Sequence, residues 1–318
     1  MRLVRLLVGM LCLAALPAAA QDFPSKPIRI IAPFGPGTAT DTVARVLAAE
    51  MSRRTGQPVI VDNKPGAEGQ IGAQAAATAP PDGYTIFVTT QTTQAINQHV
   101  YKSLPYDPVK DFVPLSGLSR GAQMVMVRND LPAKTIEEFI ALARAQPGKL
   151  TFGSGNGSAR GAAELFRIMA KVDLLGVPYK TQTQVVADLL GGRIDVTFGD
   201  FTTSLPPVRD GRARGLAVTS PQRYPGLEQY PTVAESGVPG YESQPWNAAY
   251  APAGTPRPIV EKLNKLIRDS VESETYGNLM RTTLGVIFPG TPEELASFQA
   301  KEILKWGEVV RVAGMKEP

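Results

Sequence analysis

The sequence predicts a two-lobed α/β protein, each lobe a largely parallel sheet flanked by helices, with a hinge between them. Three observations carry this. Short β-rich runs alternate with helical ones in two successive series, the rhythm of strand–helix–strand units. A glycine-rich turn leads from a strand-like run into a helix in each series: Phe34-Gly35-Pro36-Gly37-Thr38-Ala39-Thr40-Asp41 in the first and Phe152-Gly153-Ser154-Gly155-Asn156-Gly157-Ser158 in the second. A segment rich in proline and glycine, from Tyr224 to Pro258, then returns the chain to two terminal helical patterns. The expected division is a leader over 1–20, a first lobe over 22–122 plus 246–318, and a second lobe over 123–245.

The leader comes first. Arg2 and Arg5 precede the apolar run Leu6 to Leu16, followed by Ala18-Ala19-Ala20 and Gln21, the pattern of a secretory signal peptide cleaved after Ala20. The run is too short for a permanent anchor across a hydrocarbon layer of ~30 Å. Cys12 lies inside it behind Leu11, where lipidation would want a small residue. Removal of the leader takes away the sole cysteine, so neither a disulfide framework nor cysteine catalysis is expected in an oxidising compartment. The 33 basic residues exceed the 29 acidic ones by four, and two of those arginines leave with the leader. So mild an excess points away from nucleic acid as a partner.

In the first series the expected strands and helices are Ile28 to Ala32, Asp41 to Arg53, Val59 to Val61, Gly69 to Ala79 and Tyr84 to Val88. Val43, Val46, Leu47 and Met51 form the apolar stripe of the first helix, and Gly56 and Pro58 stop it. The second series begins near Met124. There Thr135 and Glu138 have capping-box spacing, and Ile136, Phe139, Ile140 and Ala143 make a stripe ahead of Pro147-Gly148. After the second glycine turn Ala162, Leu165, Phe166 and Met169 share a helix face, and the rhythm continues through Val185 to Leu190, Ile194 to Phe198 and Gly215 to Val218. Two long helices are expected over Ile259 to Asn278 and Pro292 to Val312, packing back on the first lobe.

The chemistry of the two turns is that of a helix start. Backbone N–H groups there have no intrahelical acceptor, and the axial dipole leaves roughly half a positive charge, so two such ends facing one cleft would hold an anion without a buried arginine. Neither turn has the lysine of a Walker loop or the third glycine of a dinucleotide fingerprint. Thr38, Thr40, Ser154, Asn156 and Ser158 add small donors, although Thr38, Thr40 and Ser158 would serve equally as N-caps, and glycine turns also occur as plain tight connections. Asp41, after the first turn, and Asp200, at the end of Val196-Thr197-Phe198, could accept from a ligand or cap the next helix. Gln91 should lie at the carboxyl edge of the first sheet, where α/β proteins bind ligands. Catalysis is poorly provided for: His99 is the only histidine and reads as a solvated surface residue, which leaves no transition-metal cluster and no evident base for a serine triad. Glu137 and Glu138 read as helix-face charges. Trp246 reads as hinge packing ahead of ligand stacking.

Taken together, these residues resemble the periplasmic solute-binding receptors of tripartite tricarboxylate transporters, the Bug-type receptors. The likeness runs through Phe23-Pro24-Ser25-Lys26-Pro27-Ile28, the Pro33-to-Asp41 turn, Val61-Asp62-Asn63-Lys64-Pro65-Gly66-Ala67, Pro81-Asp82-Gly83-Tyr84-Thr85 and Leu104-Pro105-Tyr106-Asp107-Pro108-Val109-Lys110-Asp111-Phe112. It continues in Val177-Pro178-Tyr179-Lys180 and Ala251-Pro252-Ala253-Gly254-Thr255-Pro256. The resemblance implies a periplasmic-binding-protein fold of the type II-like, Venus-flytrap kind, closing on a small organic acid, with di- and aromatic carboxylates among the candidates. It implies a first wall of Phe34, Gly35, Pro36, Gly37, Thr38, Thr40 and Asp41, a further contact at Thr90 and Gln91, and an opposing wall of Ser154, Asn156, Gly157 and Ser158. Tyr179, Thr181 and Asp200 would line the rest. It also implies a monomer without cofactor, metal or enzymatic activity that delivers its solute to one large and one small integral membrane subunit. The alternatives are a ligand-sensing subunit of a signalling system and, more remotely, a secreted hydrolase. The sequence departs from the common family pattern in the ligand walls. Thr38-Ala39 replaces consecutive glycines, the second turn is about two residues shorter and lacks the histidine often found after it, Gln94 replaces another histidine, and no glycine pair follows Lys180.

Overall fold

The computed structural model describes residues 23–315; the signal-peptide expectation lies outside them. Along the chain run β1 (Ile28–Ala32), α1 (Ala39–Thr55), β2 (Val59–Asn63), α2 (Gln70–Ala77), β3 (Thr85–Thr90), a π-helical turn over Thr92–Ile96, α3 (Asn97–Val100) and β4 (Phe112–Arg120). Next come β5 (Gln123–Arg128), α4 (Ile136–Ala145), β6 (Thr151–Ser154), α5 (Gly157–Ala170), β7 (Leu175–Pro178), α6 (Gln182–Leu190), β8 (Val196–Asp200), α7 (Phe201–Arg209) and β9 (Ala213–Val218). The chain ends with β10 (Trp246–Pro252), α8 (Arg257–Val271), α9 (Glu274–Thr283), β11 (Val286–Ile287) and α10 (Pro292–Ala313).

Two sheets result, in the orders β11-β4-β10-β3-β1-β2 and β7-β6-β8-β5-β9. β1 is parallel to β2 and β3, and β6 to β7 and β8, so the turns after β1 and β6 leave the carboxyl edges of their sheets. The chain passes between sheets twice, after Arg120 and before Trp246. The two passages are bonded to each other: Gly121 N–H donates to Pro245 O at 3.0 Å. Thr219 Oγ1 extends the tie, accepting from Gln123 N and donating to Ser243 O, each at 2.7 Å.

β10 is a central strand that sequence reading missed, as it did β4, β7, α7 and β11. It lies inside the proline- and glycine-rich return segment and pairs antiparallel with both β3 and β4. Trp246 to Pro252 is buried on both faces, so it shows none of the alternation of a half-exposed strand. The expected helix over Ile259 to Asn278 is two helices, because Ser273 caps α9 by accepting Tyr276 N–H at 3.2 Å. At α4, Thr135 caps as expected, but the Glu138 carboxylate accepts from Lys134 N–H at 2.6 Å, one residue upstream of capping-box geometry. The reciprocal box forms at Thr291 and Glu294, at the start of α10.

Each sheet has its own core. Phe139, Phe152, Phe166, Phe198 and Tyr241 fill the second, and Ile28, Ile30, Leu47, Val88 and Leu263 the first. A third cluster lies under α10 and joins Ile31, Phe87, Trp246, Tyr250, Trp306 and Val310. α10 reaches both sheets: Trp306 packs on α5 so closely that a Cβ on Gly161 would lie 2.6 Å from the indole. Trp246 and Trp306 both donate their indole N–H to Glu302 Oε2, at 2.9 and 3.1 Å. His99 is half-buried, not solvated as its polar neighbours suggest. Its Nε2 bonds Ile303 O at 2.9 Å, and its ring lies against Gly307. Among the described residues no helix is long and apolar enough to cross a membrane.

Candidate functional site: the cleft between the two sheets

The first turn is built around one buried carboxylate. Gly37 takes φ +81°, which only glycine adopts at no cost. Thr38 then caps α1, accepting Asp41 N–H at 3.3 Å and donating to Gly35 O at 2.9 Å. The Asp41 carboxylate accepts from Gly37 N at 2.9 Å, Arg45 Nε at 3.0 Å and Asn63 Nδ2 at 2.9 Å. Asn63 Nδ2 also holds Phe34 O at 2.9 Å. Burial alone would raise the Asp41 pKa, but the bonds from Arg45, Gly37 and Asn63 outweigh it and hold it below the ordinary value. Asp41 therefore fixes the turn from behind. The Ala39 and Thr40 N–H groups lie in the first turn of α1, where no intrahelical acceptor exists, and Ala39 is half-exposed.

The second turn has two of its backbone donors engaged, those of Gly155 and Gly157. Gly155 N–H donates to Gln182 Oε1 at 3.1 Å, and Gln182 Nε2 donates to Thr197 Oγ1 at 2.8 Å. Asn156 is the N-cap of α5 and accepts Ala159 N–H at 2.8 Å. Gly157 N–H points across the cleft and donates to the carboxylate of Glu68 at 3.0 Å. Beside it Ser158 Oγ and Thr92 Oγ1 stand 3.4 Å apart. Both turns thus start helices at the carboxyl edges of their sheets, and the second meets the first lobe directly.

Glu68 was missed in the sequence. It occupies the left-handed region at φ 51°, ψ 38°, where a non-glycine residue is uncommon. Asn97 Nδ2 pins its carbonyl at 3.0 Å. An acidic residue set between Gly66 and Gly69, just beyond the Asn63-to-Ala67 motif, was the available signal.

The remaining expected residues divide. Thr181 caps α6, accepting Gln184 N–H at 3.3 Å, and the Tyr179 hydroxyl donates to Asp188 at 2.8 Å. Both polar groups serve α6. Ser154 is buried at the end of β6. Thr90 is half-buried and accepts Thr92 N–H at 3.2 Å. Gln91 has no exposed surface, and both atoms of its carboxamide lack a partner among the described residues.

Asp200 lies nearer the hinge. It holds the N-cap position of α7 but makes no side-chain capping bond. Burial raises its carboxyl pKa to about 6. It lines a cavity of about 80 Å³ together with Thr42, Ser119, Arg120 and Asn247. Asn247 stands in register between Thr90 and Ser119, and its Oδ1 is buried without a partner among the described residues. Arg120 is exposed and stacks over Phe288 at 5.2 Å. A larger concavity of about 550 Å³ lies on the outer face around Tyr101 to Asp111, away from both turns. Among the described residues no group of three His, Cys, Asp or Glu could hold a metal ion.

Two α/β lobes joined by a doubled crossing, with a helix-start N–H of one bonded to a carboxylate of the other, define the class of two-lobed solute-binding receptors. Residues 43–315 match the model of the tripartite tricarboxylate transporter family receptor, and the chain belongs to that family. It is 33% identical over 305 residues to protein BugT of Bordetella pertussis, covering 95% of this chain and 94% of that protein. Among solved structures it resembles R. palustris Rpa4515 with adipate (34% identity, TM-score 0.87), covering 92% of this chain and 99% of the other. It also resembles MatC (Rpa3494) from Rhodopseudomonas palustris with bound malate (29% identity, TM-score 0.83), covering 91% and 100%. Receptors of this family are periplasmic binding proteins that work with transporter subunits and bind solutes without transforming them.

Proposed function

We propose that this chain captures a small carboxylate between its lobes and delivers it to membrane transporter subunits, one large and one small. One observation carries the reading. A carboxylate, that of Glu68, is held at 3.0 Å by the helix-start N–H of Gly157 across the cleft, so the chemistry of the gap suits carboxylates. The adipate of Rpa4515 and the malate of MatC support it. The lobes are residues 22–122 with 246–318, and 123–245, pivoting where Gly121 and Pro245 are bonded. Phe34 to Thr40 form the first wall, with the amides of Ala39 and Thr40 as principal donors. Ser154 to Ser158 form the opposing wall, and Thr90, Gln91, Tyr179, Thr181 and Asp200 complete the surround, several of them by positioning helices. Closure around the solute excludes water and strengthens each charge-assisted hydrogen bond, and the closed form is the state that the ligand favours.

The protein acts as a monomer in the periplasm, exported by its leader, with no cofactor and no catalytic step. Calorimetry of the mature protein against mono-, di- and tricarboxylates and aromatic acids tests this. Binding of an acid with a one-to-one stoichiometry is expected. Binding of a sugar or a cation with no response to any acid would overturn it.

A further inference from the structure

The two walls of the cleft are chemically unequal, and that inequality bears on which acid is bound. On the first-lobe side the start of α1 offers the Ala39 N–H and the crossing offers the guanidinium of Arg120, while the Glu68 carboxylate of the same lobe reaches across to Gly157. Two of the corresponding donors opposite are consumed. Gly155 N–H is bonded to Gln182, and Gly157 N–H is bonded to Glu68. The carboxylate that an extended diacid would place on Gly157 is already supplied by the protein. Further along the same cleft, the polar groups of the hinge cavity include the Asp200 carboxylate, which caps nothing, and the buried, unpartnered Oδ1 of Asn247. Both accept hydrogen bonds.

We infer that the solute carries one carboxylate and, at its other end, a hydrogen-bond donor such as a hydroxyl or an ammonium group, with Glu68 excluding a second carboxylate. The inference rests on the carboxylate-receptor reading above and narrows it. The single carboxylate takes the start of α1, where charge-assisted bonds to backbone N–H groups are favourable. A second carboxylate directed at Gly157 would meet the Glu68 carboxylate, and one directed into the hinge cavity would meet that of Asp200, where Arg120 is stacked on Phe288; like charges in contact repel. An alcohol or amine instead gives Asp200 and Asn247 the donors they lack, and an unsatisfied buried acceptor is what such a site discriminates with. The backbone at Glu68 sits where glycine would be unstrained, and its carboxylate is nevertheless aimed at the facing lobe.

The test compares chain-matched pairs by calorimetry on the mature protein: 4-hydroxybutyrate and 4-aminobutyrate against succinate, and 6-hydroxyhexanoate and 6-aminohexanoate against adipate. The hydroxy or amino acid of at least one pair is expected to bind tenfold or more tightly than its diacid. Glu68→Gly, which suits the local backbone and uncovers Gly157 N–H, is expected to shift that ratio at least tenfold toward the diacid. Glu68→Gln, which removes the charge and keeps the side chain's length, should shift it the same way. Asp200→Asn should weaken the amino acid more than the hydroxy acid. Diacids that equal or exceed their partners in the unmodified protein, or a ratio unmoved by Glu68→Gly, would overturn the inference and leave the receptor reading standing. If none of these acids, nor any from the wider panel, binds, the receptor reading itself fails.

Discussion

The helix starts of α1 and α5, one in each lobe, share a sequence style and differ in what sits on them. At α1 the acidic side chain belongs to the turn itself: Asp41 reaches back to Gly37, Arg45 and Asn63 and leaves the first N–H groups of the helix toward the gap. At α5 the acidic side chain comes from the other lobe and lies on the helix start. One carboxylate organises the loop at its own helix start, and the other occupies the helix start of the facing lobe. A glycine-rich strand-to-helix turn therefore specifies where an anion could go, while the surrounding carboxylates decide whether the place is vacant or taken.

Alanine at the two turns separates them most strongly. A Cβ on Gly155 would fall 2.2 Å from Gln182 N, whereas one on Gly35 meets nothing within 4 Å. Gly155→Ala should cost about 3 kcal/mol or more in urea denaturation, because the obstacle is backbone. Gly35→Ala should stay within about 0.5 kcal/mol. Equal effects would show that the second turn is no tighter than the first.

The two aspartates should respond in opposite directions. Asp200 keeps its proton up to about pH 6 in the folded protein, whereas the unfolded chain releases it near 3.8. The native state therefore loses stability as pH rises from about 4 to 6 and stays lower above it. Since each pKa unit is worth about 1.4 kcal/mol, the effect is at most about 3 kcal/mol. Asp200→Asn should raise the melting temperature at pH 7 and remove that slope. The sign reverses at Asp41, whose pKa is lowered. Its contribution is complete above the unfolded value and is lost as pH falls through the folded one. Asp41→Asn should cost about 2 kcal/mol at pH 7 and flatten the acid limb of the stability profile. A small change in stability is also expected at Glu68→Gly. Relief of left-handed strain, about 1 kcal/mol, offsets part of what the side-chain interactions of Glu68 contribute, the bond to Gly157 N–H among them, so the net loss should stay within about 2 kcal/mol. A large loss there would mean that Glu68 holds the lobes together in addition to filling a ligand position.

How much of this could be read in advance follows from the range of each interaction. Helices with strong stripes and local stop signals were legible, α1 with Gly56 and α4 with Phe139 and Ile140 among them. So was the family, because its motifs are contiguous. β10 was not, since a strand buried on both faces looks like any apolar run and this one followed a proline-rich stretch. The break at Ser273 was a visible cap set inside a longer pattern. In the site, the glycine turns and Asp200 could be picked out by their place after strands. Asn63 and Asn247 could not, because their partners lie 22 and 128 residues away in sequence, and Glu68 offered only its place between two glycines while its partner Gly157 lies 89 residues on. His99 misled for the same reason: its partner is a carbonyl 204 residues on.

The pair of indoles bonded to Glu302 has a practical corollary. Trp246 stands where the chain re-enters the first sheet, Trp306 presses on a helix of the second, and these are the only two tryptophans in the protein. Every ultraviolet-excited indole photon thus originates at the seam between the lobes. A swing of one lobe against the other would alter the field of that shared carboxylate on both chromophores, and the molecule carries its own label-free optical gauge of closure.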